Sequence, residues 1–177
     1  MTQIYDRVAL IGLGLIASSM AHAMKRAGLA GEIVGYARSA ETRDIAREIG
    51  FCDQICDSAT EAAQGADLIV LCVPVGAMES VAVEIAPVLK AGATVSDVGS
   101  VKRAVIDAVA KHLPEGVHFV PAHPLAGTEH SGPESGFAEL FQGRWTVLTP
   151  PPGTDEAAVK AIAGLVGKHE AKAVVAE

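Results

Sequence analysis

Basic clusters are missing from this chain: 14 Lys and Arg face 21 Asp and Glu, the formal net charge is -7, and the cations are scattered. That excludes nucleic acid and anionic membranes as partners, because both demand a basic face. Any anionic ligand must be met locally. Cysteine is sparse too. Cys52, Cys56 and Cys72 form an odd set without a CxxC pair, so neither a disulfide framework nor a zinc site is predicted. A reducing cytoplasm is the expected location. Cys72 lies within an apolar run, where a buried thiol is the ordinary reading. The sequence offers no cluster of metal ligands, no internal repeat, no low-complexity linker and no segment long enough to cross a membrane.

What remains is an apolar chain. Of 177 residues half are hydrophobic and 20% charged, enough to bury one core as a single domain over 1–177. Its first apolar stretch, VALIGLGLIASSMAHAM at 8–24, has the makings of a secretory signal or of a strand, a turn and a helix. The leader carries Asp6, and Gly12 and Gly14 interrupt the run, which argues against a signal.

Strands are predicted at Arg7–Ile11, Glu32–Tyr36, Ala66–Val73, Ala93–Val98, Val117–Ala122 and Arg144–Thr149. Helices are predicted at Ile16–Ala27, Ala40–Ile49, Ala77–Leu89, Val101–His112 and Asp155–Lys168, most of them between strands. Pro150-Pro151-Pro152-Gly153 breaks the chain before the last helix. This alternation is an α/β order. The uninterrupted run Leu68–Val73 suits a strand covered on both faces, so a doubly wound, mostly parallel sheet with helices on both faces is expected.

Gly12-Leu13-Gly14-Leu15-Ile16-Ala17 is GxGxxA between a predicted strand and helix, as a dinucleotide-binding, Rossmann-type domain requires. Gly12 permits the tight turn and Gly14 a close backbone approach. The first helical N–H groups, from Leu15 and Ile16 onward, then meet the phosphates despite the negative total charge. A glycine turn that merely packs a helix on a sheet is the bland alternative. In an NAD site an acid usually follows the second strand. Here Ala37 stands there, followed by Arg38 and Ser39, a charge and a hydroxyl suited to a 2′-phosphate. NADP is therefore favoured and NAD remains possible, while a solvated loop role for Arg38 stays open.

Ligands of open parallel sheets sit beyond the strands' carboxyl ends, which draws attention to Val73-Pro74, Asp97-Val98-Gly99-Ser100-Val101-Lys102 and the stretch from His123 to Glu129. His123 precedes a proline that keeps the backbone extended, and its imidazole suits a base near neutral pH. His22, His112, His118 and His169 are read as structural. Ser100 stands where a helix N-cap is expected. Lys102 opposes the helix dipole, which a bound anion or simple solvation explains, and it is a candidate substrate contact.

GLGLIASS at 12–19, VPV at 73–75, DVGSVK at 97–102 and HPLAGTEHSGPESG at 123–136 resemble the prephenate dehydrogenases, including arogenate and cyclohexadienyl dehydrogenases. The resemblance covers nearly the whole chain. It implies oxidative decarboxylation of prephenate or arogenate in tyrosine biosynthesis. His123 would withdraw the ring hydroxyl's proton as hydride leaves for the nicotinamide and CO2 is lost. Ser100 would orient that hydroxyl, and Gly127, Thr128 and Glu129 would border the substrate. The resemblance also implies a helical, dimerising domain, expected to begin where this chain stops at Val174-Val175-Ala176-Glu177. Rival readings are a 3-hydroxyacid dehydrogenase or imine reductase of similar fold, and a non-catalytic dinucleotide-binding module.

Overall fold

A computed structural model describes residues 2–176. Alternate residues of the central strands serve two separate cores, which is why these strands read as continuous apolar runs. Val8 and Leu10 of β1 (Tyr5–Ile11), with Leu68 and Val70 of β4 (Leu68–Leu71), pack on one face with Met24 and Ile162. Ala9, Ile11, Ile69 and Leu71 pack on the other with Met78, Ile85 and Val105. β2 (Ala30–Tyr36), β3 (Gln54–Ile55), β5 (Thr94–Asp97) and β6 (His118–Val120) complete a six-stranded parallel sheet of order β3-β2-β1-β4-β5-β6.

The helices are α1 (Leu15–Ala27), α2 (Ala40–Ile49), α3 (Ala59–Ala63), α4 (Val75–Ile85), α5 (Lys102–Val109) and α6 (Glu156–Lys168). Ser39, Ser58 and Asp155 cap α2, α3 and α6 through their side chains. α1 ends at Gly28, which takes the left-handed conformation (φ 63°) that glycine tolerates best. The sheet order reverses between β1 and β4, and a ligand crevice opens at such a switch point. No helix among the described residues is long and apolar enough to cross a membrane.

The expected doubly wound parallel sheet is present, but its last predicted strand is elsewhere. Trp145–Leu148 forms β8 of a second, three-stranded sheet, antiparallel to β7 (Ala122–Pro124) and parallel to β9 (Lys172–Val175). The predicted strand Val117–Ala122 is divided at Pro121, which has no N–H for a ladder. Thus His123 lies within a strand of the second sheet, not in a loop behind the first. Val174 and Val175 belong to β9. The short β3 and α3 and the strand β9 escaped the sequence reading. Ser100 is not the cap of α5: the first helical bond runs from Val105 N–H to the Val101 carbonyl, so the helix begins at Lys102 with Val101 as its cap, one residue beyond Ser100 and with no side-chain cap.

Candidate active site

β1 ends in the glycine turn, and its geometry separates the roles of the two glycines. Gly12 has φ 96°, and a Cβ there would meet the Cys72 carbonyl oxygen at 2.6 Å, so the turn is closed against β4. A Cβ on Gly14 would meet nothing within 4 Å, so that position faces open space. Gly14 starts α1 without a side-chain cap, and no acid occupies the first turn. The free N–H groups there, with the helix dipole, suit an anion. Leu15 and Ile16 place their side chains against Leu140 and Phe141, which leaves their backbone for that task.

A cleft of about 490 Å³ opens at this turn and is lined by Gly12, Leu13, Gly14, Arg38, Ser39, Val73 and Pro74. The predicted cofactor residues are thus brought together, apart from Leu15 and Ile16, which lie beside the cleft in the first turn of α1. Tyr36, Thr42, Gly132 and Pro133 line it as well and were missed. Gly132 and Pro133 were within the quoted HPLAGTEHSGPESG stretch, so a motif was visible but its reach to the cleft was not. Phe137 N–H donates to Ser19 Oγ at 3.1 Å, securing this segment to α1. A Cβ on Gly136 would lie 2.0 Å from Ser18 Oγ. Ala37 is 6% exposed and apolar, whereas Arg38 is exposed. Arg43 holds the carbonyls of Ala37 and Arg38 at 2.7 and 3.0 Å and lies over the Tyr36 ring. Ser39 Oγ accepts from Thr42 N–H at 3.4 Å.

A second group gathers at the end of β5. Asp97, fully buried, accepts from the N–H of Gly99, the N–H of Ala122 (3.2 Å) and the ammonium of Lys102. Lys102 also donates to the Ala122 carbonyl at 2.7 Å. Its place at the start of α5 is therefore explained by Asp97, not by solvation, and one N–H of the ammonium is left over. Burial works against charge on both partners, pushing the Asp97 carboxyl up and the Lys102 ammonium down. His123 follows Ala122 directly and is half-buried. Burial, then the charge of Lys102, holds its imidazole below the ordinary histidine value, against a smaller opposing pull from Asp97. At neutral pH it is uncharged and able to accept a proton. Ser100 is exposed on the turn between Asp97 and Lys102. Gly127, Thr128 and Glu129 are exposed in the loop after β7, where Thr128 Oγ1 accepts from His130 N–H at 3.1 Å. They do not line the cleft. Cys72, expected to be buried, is half-buried because it follows β4 at the wall of the cleft; loss of solvation pushes its thiol far up, so it stays protonated at neutral pH. Among the described residues no group of three or more potential ligands could hold a metal.

The family model described as prephenate dehydrogenase, nucleotide-binding domain, matches residues 20–175. The chain belongs to that family. It is 44% identical over 160 residues to a cyclohexadienyl dehydrogenase of Zymomonas mobilis, a match covering 90% of this chain and 54% of that protein. Among solved structures it is similar to Synechocystis arogenate dehydrogenase, with a TM-score of 0.87 at 28% identity over 96% of this chain and 59% of that one. The Aquifex aeolicus prephenate dehydrogenase, solved with hydroxyphenyl propionate and NAD+, gives a TM-score of 0.80 at 28% identity, over 97% and 59% of the two chains. This chain spans about half the length of the curated relatives it matches.

Proposed function

We propose that this chain is the dinucleotide-binding domain of an NADP- or NAD-dependent enzyme that oxidatively decarboxylates prephenate or arogenate in tyrosine biosynthesis. The observation that carries the reading is the placement of His123 directly after Ala122, whose backbone Asp97 and Lys102 bind at the carboxyl end of the main sheet, in a chain whose relatives bear those names. The open space at Gly14, the uncapped start of α1 and the exposed Arg38 fit a dinucleotide, with Gly12, Leu13, Gly14, Leu15, Ile16, Val73 and Pro74 around its phosphates and ribose. Arg38 and Ser39, without an acid at position 37, favour NADP.

When bound, the nicotinamide supplies the oxidising equivalent by accepting hydride. His123 takes the proton of the ring hydroxyl, a contribution of about 10² to 10⁴ in rate for a positioned base. Ser100 orients that hydroxyl, and the remaining N–H of Lys102 is available to an anionic group of the substrate. Gly127, Thr128 and Glu129 border the substrate from the loop after β7. The enzyme works in the cytoplasm as a homodimer, joined through a helical domain beyond this one.

The test is a panel of prephenate, arogenate and 3-hydroxyacids, each with NADP and NAD, on the full-length protein. Turnover of prephenate or arogenate alone supports the reading. Turnover only of 3-hydroxyacids, or cofactor binding without any turnover, overturns it in favour of another reductase or a non-catalytic module.

A further inference from the structure

Among the described residues β7 has a partner strand on one side only, and the hydrogen-bond alternation shows what this leaves over. Thr149 N–H donates to the Pro121 carbonyl at 3.0 Å, and Leu125 N–H donates to the Trp145 carbonyl at 2.7 Å. In an antiparallel ladder bonded pairs alternate with unbonded ones. His123 and Val147, lying opposite each other between those two pairs, are therefore a bonded pair, and Ala122 opposite Leu148 is not. The N–H and C=O of Ala122 point away from β8, at a buried position where unmet backbone groups are costly. β6 gives no continuation, since the chain leaves the first sheet at Pro121.

Both groups are met by one ion pair. The Asp97 carboxylate accepts the Ala122 N–H, and the Lys102 ammonium donates to the Ala122 carbonyl while it binds Asp97. We infer that Asp97 and Lys102 are positioning residues for His123, acting together as a substitute for the missing neighbouring strand and holding the backbone immediately before the imidazole. The same carboxylate binds Gly99 N–H, so the turn carrying Ser100 and the strand carrying His123 are referred to one fixed group. This inference rests on the proposed roles of His123 and Ser100 for its catalytic meaning. Its geometry does not.

The charged groups that act on His123 are Lys102 from α5 and Asp97 from β5, of opposite sign. Their removal therefore has opposite effects, which simple loosening of the fold does not. In NMR titrations of His123 in this chain, Asp97→Asn leaves an uncompensated ammonium and should lower the histidine pKa, whereas Lys102→Met should raise it, each by about 0.5 pH unit or more. Loosening would expose the imidazole and raise both. In the full-length protein, both variants should lower kcat at least about 10-fold with cofactor KM changed less than about twofold. The sign in Asp97→Asn decides between the two; if that variant does not fold, Lys102→Arg, which keeps the charge, should leave the histidine pKa near that of the unsubstituted chain, and a shift as large as that of Lys102→Met overturns the inference. Two shifts of the same sign, no shift, or unchanged kcat overturns the inference. Opposite shifts in a protein whose His123→Asn variant is fully active would instead remove the catalytic role of His123 and leave the clamp standing.

Discussion

Removing Arg38 should divide the two cofactors. The backbone at 37–38 is held by Arg43 through both carbonyls, so Arg38→Ala leaves the loop in place and deletes only the exposed guanidinium. Hydrogen bonds to charged groups contribute about 1.5 to 3 kcal/mol, and exposure to solvent puts Arg38 at the lower end. Affinity for NADPH should fall about 10-fold, since about 1.4 kcal/mol is a factor of ten. NADH lacks the 2′-phosphate and should change less than about twofold. Ala37→Asp should act in the opposite sense, supplying a ribose acceptor for NADH and repelling the phosphate. Arg43→Ala, by contrast, frees the loop and should weaken both. Fluorescence titration of NADPH and NADH on this chain measures all of these. Equal weakening of both cofactors by Arg38→Ala, or of neither, refutes the assignment of NADP through Arg38.

Other substitutions test the remaining roles. His123→Asn should lower kcat of the full-length protein at least about 10² while cofactor affinity holds, and Ser100→Ala should cost less because water replaces part of a hydroxyl contact; retention of more than half the activity by His123→Asn would remove the base. Gly12→Ala should destabilise the chain by more than about 3 kcal/mol, from positive φ and the Cys72 carbonyl, whereas Gly14→Ala should cost less than about 1 kcal/mol yet weaken cofactor binding at least about 10-fold. Urea unfolding and cofactor titration check this pair. His169 is 5% exposed and its Nε2 is buried without a partner; burial, then Arg26, brings its pKa down to about 4. Between pH 6.5 and 4 the unfolded chain takes up a proton there that the folded chain refuses, so stability is lost as pH falls through that window, by about 3 kcal/mol in full. His169→Phe, stacked near Phe141, should flatten that part of the profile in denaturant melts at pH 7 and 4.5; an unchanged slope would show that other groups carry it.

The glycine turn and the central strands were legible because their signals are local. GxGxxA needs only a turn, a close approach and a helix start within six residues, and the run Leu68–Val73 announces burial on both faces whatever its neighbours. The ends of α1 and α2 were close to expectation for the same reason, set by Gly28 and Gly50 in left-handed geometry. Trp145–Leu148 reads as a strand with equal clarity, yet nothing in those residues says which sheet receives it. β3 has two residues, too few for any period to show.

Local order along the chain thus determined the strand-turn-helix units and the anion-ready start of α1, and it singled out His123 as the candidate imidazole, because each depends on residues a few positions apart. Tertiary structure alone decided how Pro121 hands the chain to a second sheet, and how Gly132 and Pro133 reach the cleft. It also decided that Lys102 turns from the helix dipole towards Asp97 and Ala122. Those outcomes depend on which buried backbone groups are left without a ladder partner once distant segments have paired, and an unmet N–H or C=O is visible only in the folded chain.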